Sequence, residues 1–439
     1  MDAWDRVPTP LKVAAGYLLF VAFGAVMLLL PWSSHDGLSV SEASFTAMSA
    51  VTVTGLSVIS AADDLTLFGQ IVLLLLIQVG GVGLIVLTVA VLAALGAKAG
   101  ISPRSLLKGD VGVGKRTRLV LMMRRVVKIV LLCELAAAAL LAFAFVPEQG
   151  WAAGLWNALF HAVSAFNHAG FDIFGDSLKS HAGSPYVLWV VSLTFIFSSL
   201  GFIVYAELRE ARHWSLLSLH TKLMLSGTAV LLIVPMVLII VLEWTNPATL
   251  GSVEGIWQKL SVAWFESATT RTAGFAALPT DEFRPATTWI QSALMHIGGG
   301  SGSTSGGMKI TTVAVVVLSA VAFYRKTTDV RIFQTMVPPS QVHKATTLFI
   351  VSILTYFVAT GLLHATQDID AVDLRFEAMS AIATVGLSRG ATGELDGFGR
   401  AVIMTLMFLG RLGPLTLGYL IAAQRPPLTR YPDGEIHLG

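Results

Sequence analysis

Four related phrases in this chain end in a turn of small residues closed by glycine. They are Ser49-Ala50-Val51-Thr52-Val53-Thr54-Gly55-Leu56, Ser164-Ala165-Phe166-Asn167-His168-Ala169-Gly170-Phe171, Ser267-Ala268-Thr269-Thr270-Arg271-Thr272-Ala273-Gly274-Phe275 and Ser380-Ala381-Ile382-Ala383-Thr384-Val385-Gly386-Leu387. Near-equal spacing suggests one structural unit used four times about an axis. Glycine enters positive φ without steric cost, so successive carbonyls can face one way. Carbonyl oxygens gathered in a ring replace an ion's hydration shell, and neutral oxygens in series suit a monovalent cation that must leave again. The candidate ion-binding residues are Thr52, Val53, Thr54 and Gly55; Asn167, His168, Ala169 and Gly170; Arg271, Thr272, Ala273 and Gly274; and Ala383, Thr384, Val385 and Gly386. One such phrase would read as a tight turn between packed helices. Four in register favour a filter.

Such turns need a scaffold in lipid, and the composition supplies one. Of 439 residues, 54% are hydrophobic and 13% charged, about half the charge of a soluble domain. Apolar runs near 11–31, 68–96, 126–147, 185–206, 220–243, 287–323, 344–364 and 398–423 are long enough to cross a bilayer. Between the members of each pair lies a shorter, partly polar stretch, at 41–54, 152–169, 255–273 and 371–385, read as a re-entrant half-helix. Its carboxyl end would aim a negative dipole at the turn. The expected fold is an all-α integral membrane protein of four parallel span–pore-helix–span repeats around a central pore. Repeat 1 covers 1–97, a basic cytoplasmic loop 98–124, repeat 2 125–207, repeat 3 208–324, a cytoplasmic linker 325–343, and repeat 4 with the C-terminal tail 344–439. Basic residues cluster between units (Arg124, Arg125, Lys128, Arg209, Arg325, Lys326), while Asp63, Asp64, Asp172, Asp281 and Asp396 lie on the turn side. The positive-inside rule then places both termini in the cytoplasm of a cell-membrane protein and the turns outside. No cleavable signal is expected, because the first apolar run is long enough to span.

The run 287–323 is interrupted by Gly298, Gly299, Gly300, Ser301, Gly302, Ser303, Thr304, Ser305, Gly306 and Gly307. Each glycine weakens a helix by about 1 kcal/mol relative to alanine. Broken backbone at membrane depth is tolerable where it lines a permeation path, so 298–307 is a candidate gate. Arg411, inside the last apolar run, must face water or an acid. It is read either as a salt-bridge partner or as a positive barrier, with Lys309 sharing that role. Glu266 and Glu377 are expected to anchor the third and fourth half-helices, for example against Arg271 or Arg389. Glu134, in a span, is read as a partner for a polar group on another helix. The lone cysteine, Cys133, is expected to be a packing residue. Gly109-Asp110-Val111-Gly112-Val113-Gly114-Lys115-Arg116 imitates a phosphate loop, but Arg116 stands where Ser or Thr should hold Mg²⁺ and no strand precedes it. No nucleotide site is expected on this chain.

Taken together, the four phrases, the run Gly298 to Lys309 and Gly410-Arg411-Leu412-Gly413-Pro414 resemble the potassium transporter superfamily of TrkH, KtrB and the plant HKT proteins. The absence of an extra helix pair ahead of the first span looks like the KtrB branch. Gly55 looks like the potassium-selective pattern. The resemblance implies K⁺ uptake, with K⁺ at the carbonyls of Thr54, Ala169, Ala273 and Val385 and Na⁺ as a second candidate ion. It implies a homodimer in the lipid bilayer and a cytosolic nucleotide-binding RCK ring of the KtrA or TrkA kind, with no nucleic acid involved. Within the third phrase, glycine follows its phenylalanine (Phe265) one position sooner than in the other three, so the symmetry is approximate. His168 receives no role. The competing reading is an ion-coupled symporter of a small solute. An enzyme is disfavoured, because Cys133, His161 and His296 are scattered.

Overall fold

Apolar runs become helices here because lipid offers no partner to a bare amide, so each backbone group must be satisfied within its own segment. The computed structural model describes residues 9–95, 115–211, 213–327 and 329–413, with side chains described outside 9–10, 84–95 and 115–122. The phosphate-loop imitation at 109–114 and the tail beyond 413 lie outside the described residues. The order is α1 (Thr9–Leu28), α2 (Val40–Thr52), α3 (Leu67–Leu95), α4 (Lys115–Gln149), α5 (Trp151–Asn167), α6 (Pro185–Leu200), α7 (Phe202–Glu210), α8 (Leu219–Glu243), α9 (Ile256–Thr269), α10 (Pro285–Met295), α11 (Ile310–Tyr324), α12 (Pro339–Thr366), α13 (Ala371–Ala383), α14 (Ala391–Glu394) and α15 (Gly397–Leu412). A two-residue β-hairpin pairs Arg331–Ile332 with Thr335–Met336 between α11 and α12.

Among the described residues, α1, α4, α8 and α12 contain stretches long and apolar enough to cross a membrane. The apolar run 185–206, expected to be one span, is instead α6 and α7 meeting at 85°. The corner is Gly201, at φ 85° and ψ 150°, a combination that L side chains avoid. The run 287–323 is broken as expected, with 296–309 lying between α10 and α11.

The short helices α2, α5, α9 and α13 sit at the heart of the molecule. Each buries one phenylalanine completely or nearly so: Phe45, Phe160, Phe265 and Phe376. Neighbouring helices hold these four short helices in a cyclic order. Helix α3 packs on α5, α6 on α9, α10 on α13, and α15 returns to α2. One apolar core is built mainly from α1–α3, α13 and α15, a second mainly from α4–α6, α8 and α9. Asparagine, threonine and serine fix the entries and links. Ser39 and Glu42 form a reciprocal capping box at the start of α2, satisfying two orphan amides. Glu243, fully buried at the end of α8, accepts from the Asn246 side chain at 2.6 Å, Thr249 Oγ1 at 2.7 Å, the Arg284 amide at 3.0 Å and Thr287 Oγ1, tying α8 to the start of α10.

Candidate ion-conducting site

Each short helix ends in a turn whose backbone is unusual two residues before glycine. Val53, His168, Thr272 and Thr384 lie at φ 54°, 62°, 66° and 49°, and Gly55, Gly170, Gly274 and Gly386 at 93°, 67°, 77° and 97°. In three turns the same pair of hydrogen bonds closes the helix. Val53 and Thr54 donate to the Ala50 and Ser49 carbonyls at 3.1 and 2.8 Å, His168 and Ala169 to Ala165 and Ser164 at 3.1 and 2.8 Å, and Thr384 and Val385 to Ala381 and Ser380 at 3.1 and 2.8 Å. This is the Schellman pattern, which normally places glycine at the left-handed position. Here valine, histidine and threonine occupy it. In the shorter third turn the Ala273 amide reaches only to Thr269, at 3.1 Å.

The four glycines touch in a closed cycle. A Cβ added to Gly55 would strike the Ala169 carbonyl oxygen, one on Gly274 that of Val385, and one on Gly386 that of Thr54. At Gly170 it would lie 2.9 Å from Gly274 Cα and 3.0 Å from the Ala273 oxygen. The carbonyl oxygens of Thr54, Ala169, Ala273 and Val385 therefore each lie beside the glycine of a neighbouring turn.

Hydroxyls strap these turns to their helices. The Gly55 and Gly386 amides donate to Ser49 Oγ and Ser380 Oγ, both at 3.0 Å. Ser164 Oγ donates to the Phe171 carbonyl at 2.7 Å, and Thr269 Oγ1 to that of Phe275 at 2.6 Å. These straps went unassigned in the sequence, although the serine opening three of the phrases was the signal; in the third phrase Ser267 instead donates to the Leu232 carbonyl and Thr269 makes the strap. Glycines inside α3 were also missed. A Cβ on Gly80 would meet the Val51 carbonyl, and one on Gly81 the Asn167 side chain, so both admit the tips of α2 and α5.

The remaining turn residues are distributed around this cycle. Thr52 Oγ1 donates back to the Met48 carbonyl at 2.7 Å and lies 2.8 Å from Thr54 Oγ1. Asn167 Nδ2 is 2.9 Å from both Glu134 and Gln78, and Gln78 donates to Glu134 at 3.1 Å. Glu134 is thus the partner of polar groups on other helices. Arg271 is buried with Nε and Nη1 lacking partners among the described residues. It does not pair with Glu266, which accepts the Ala277 and Leu278 amides at 2.8 and 3.1 Å. Glu377 accepts the Arg389 amide at 3.0 Å, Ser388 Oγ at 2.5 Å and Thr392 Oγ1 at 2.6 Å, while the Arg389 guanidinium pairs with Asp373 at 2.6 Å. Both carboxylates anchor the chain just beyond a turn, through amides rather than the expected arginine side chains.

Beneath the turns, segment 298–307 is packed and bonded. The Gly300 amide donates to Ser199 at 2.8 Å, and Phe202 donates to Gly302 at 3.3 Å, across the α6–α7 corner. Gly298 donates to Met308 at 2.7 Å, and the Ile310 amide to Gly299 at 3.2 Å. Ser303 Oγ bonds the Gly300 carbonyl at 2.7 Å and lies 2.6 Å from Ser305 Oγ. Thr304 Oγ1 donates to Phe166 at 3.0 Å. Gly306 packs against the Thr384 hydroxyl, Gly307 against Ala383, and the Ser301 carbonyl against Gly201. Lys309 Nζ donates to the Ser305 and Gly306 carbonyls at 2.7 and 3.3 Å. Arg411 donates to the Thr304 carbonyl at 2.7 Å and the Gly80 carbonyl at 2.8 Å. No carboxylate lies within salt-bridge distance of Arg411 among the described residues, so carbonyl dipoles take the place of the acid that one reading gave it.

Comparison with known proteins agrees with this architecture. The Ktr system potassium uptake protein B of Bacillus subtilis is 38% identical, over 99% of this chain and 98% of the relative. That of Vibrio alginolyticus is also 38% identical, over 98% and 95%. The potassium/sodium uptake protein NtpJ of Enterococcus hirae is 35% identical, over 97% and 96%. The crystal structure of the potassium transporter TrkH from Vibrio parahaemolyticus superposes with a TM-score of 0.78 at 20% identity, covering 95% of this chain and 86% of the other, a likeness of fold. The profile of the TrkH cation transport proteins matches residues 9–426, and the chain belongs to that family of membrane transporters, not to any enzyme class.

Proposed function

We propose that this chain is the ion-translocating membrane subunit of a K⁺ uptake system. The cycle in which Gly55, Gly170, Gly274 and Gly386 neighbour one another carries the reading, because it sets each of the Thr54, Ala169, Ala273 and Val385 carbonyls beside the next turn's glycine. On this reading the four helix, short-helix, helix sets are parallel repeats around a central pore. The short-helix carboxyl ends and these carbonyls together favour a cation. The glycine-rich segment 298–307 is the gate below, held shut by Arg411 and Lys309. A cytosolic nucleotide-binding RCK ring acts on it, and the chain works as a homodimer in the cell membrane with both termini in the cytoplasm. The names of the two Ktr relatives support K⁺ as cargo, and that of NtpJ keeps Na⁺ as a second ion. A small-solute symporter is less well supported, because Glu134, the carboxylate within a span, is occupied by Asn167 and Gln78. The test is ⁸⁶Rb⁺ uptake into proteoliposomes competed by K⁺ or Na⁺. Competition by K⁺ far below the Na⁺ concentration is expected, and equal competition by both ions rejects the reading.

A further inference from the structure

His168 reaches across from the second turn to the third. Its Nδ1 lies 3.1 Å from the Thr272 carbonyl oxygen and 3.1 Å from Thr272 Oγ1. The imidazole is buried and rests at 6.1 Å, centroid to centroid, from Phe195, which in turn lies 6.0 Å from Phe265 on α9. Its Nε2 makes no well-formed hydrogen bond, but the Phe195 backbone lies within reach of the ring.

Both tautomers tie the two turns together. With its proton on Nδ1 the ring donates to the Thr272 carbonyl; with the proton on Nε2 the Thr272 hydroxyl donates to Nδ1 and Nε2–H turns to the Phe195 backbone. In either case a ring nitrogen of the second turn is hydrogen-bonded to Thr272 of the third.

The third turn is the one with a reason to be braced. It is one residue shorter, and its Ala273 amide reaches back four residues where its counterparts reach five. Thr272 nevertheless holds φ 66°, as its counterparts do. Thr272 also directly precedes Ala273, whose carbonyl is one of the four beside a neighbouring glycine.

We propose that His168 is a positioning residue that holds the third turn in register and thereby sets discrimination between K⁺ and Na⁺. This rests on the filter reading above. His168→Phe keeps the ring against Phe195 but cannot donate, and His168→Ala removes both. In proteoliposomes, each variant is expected to lose about tenfold in the Rb⁺-over-Na⁺ flux ratio, the effect of one buried hydrogen bond. Size-exclusion profiles and melting temperatures in detergent report separately on folding. If wild-type protein discriminates and His168→Phe, folded to the same yield, keeps the full ratio, the brace is refuted. If wild-type protein does not discriminate, the filter reading fails first. If His168→Phe does not fold, the ratio is read from His168→Ala, and unchanged discrimination there equally refutes the brace.

Discussion

Val53, Thr272 and Thr384 are β-branched residues in the left-handed region, a conformation costing about 1–3 kcal/mol each. The strain is held by the amide pairs closing α2 and α13 and by the hydroxyl straps. Removing one strap should be felt at once. Ser49→Ala orphans the Gly55 amide and is expected to lower the Rb⁺-over-Na⁺ flux ratio several-fold, with about 1–3 kcal/mol lost in stability. Paired flux and melting measurements check both. At this scale the glycines were legible because they recur. The residues before them were not, since nothing in Val53 or Thr384 marks them for a left-handed turn. A hydroxyl's partner likewise depends on tertiary register. His168 was opaque for the same reason: its partner lies a hundred residues away on another turn.

Among the elements, the break between α10 and α11 was evident from six glycines in one run. The bend between α6 and α7 was hidden, because a single Gly201 in an apolar run reads as a tolerated kink. The two features are one device. The corner and the segment exchange backbone hydrogen bonds through Gly300 with Ser199 and Phe202 with Gly302, and a Cβ at Gly201 would press on the Ser301 carbonyl. Gly201→Ala is therefore expected to displace the segment and raise Rb⁺ flux several-fold. Arg411→Ala should do the same by releasing Thr304. Unchanged flux in both would show that the segment is no obstruction. Glu243 acts at the opposite end of α8. Glu243→Ala leaves several buried donors unanswered, and should cost about 1–3 kcal/mol for each group left unsatisfied, seen as a lower melting temperature in detergent with the selectivity ratio preserved.

At the scale of the whole molecule, α3 packs on α5, α6 on α9 and α10 on α13, and α15 closes the circuit on α2. Apolar runs marked where helices form, but the cyclic order emerges only when the contacts are formed. Orientation can be tested in a Cys133→Ser background, which leaves the chain without cysteine. Asp63→Cys is expected to react with an impermeant thiol reagent added outside intact cells, and Lys326→Cys only after permeabilisation. The reverse pattern would invert the assignment of faces.

On the proposed filter reading, the carbonyl oxygens of Thr54, Ala169, Ala273 and Val385 repel one another when no ion is bound, and a monovalent cation seated among them would be the keystone that relieves the repulsion. Such an ion favours the native state by mass action. Dialysis from KCl into choline chloride should therefore soften the whole protein well before any helix is altered, and KCl should restore its heat resistance at concentrations where NaCl does not.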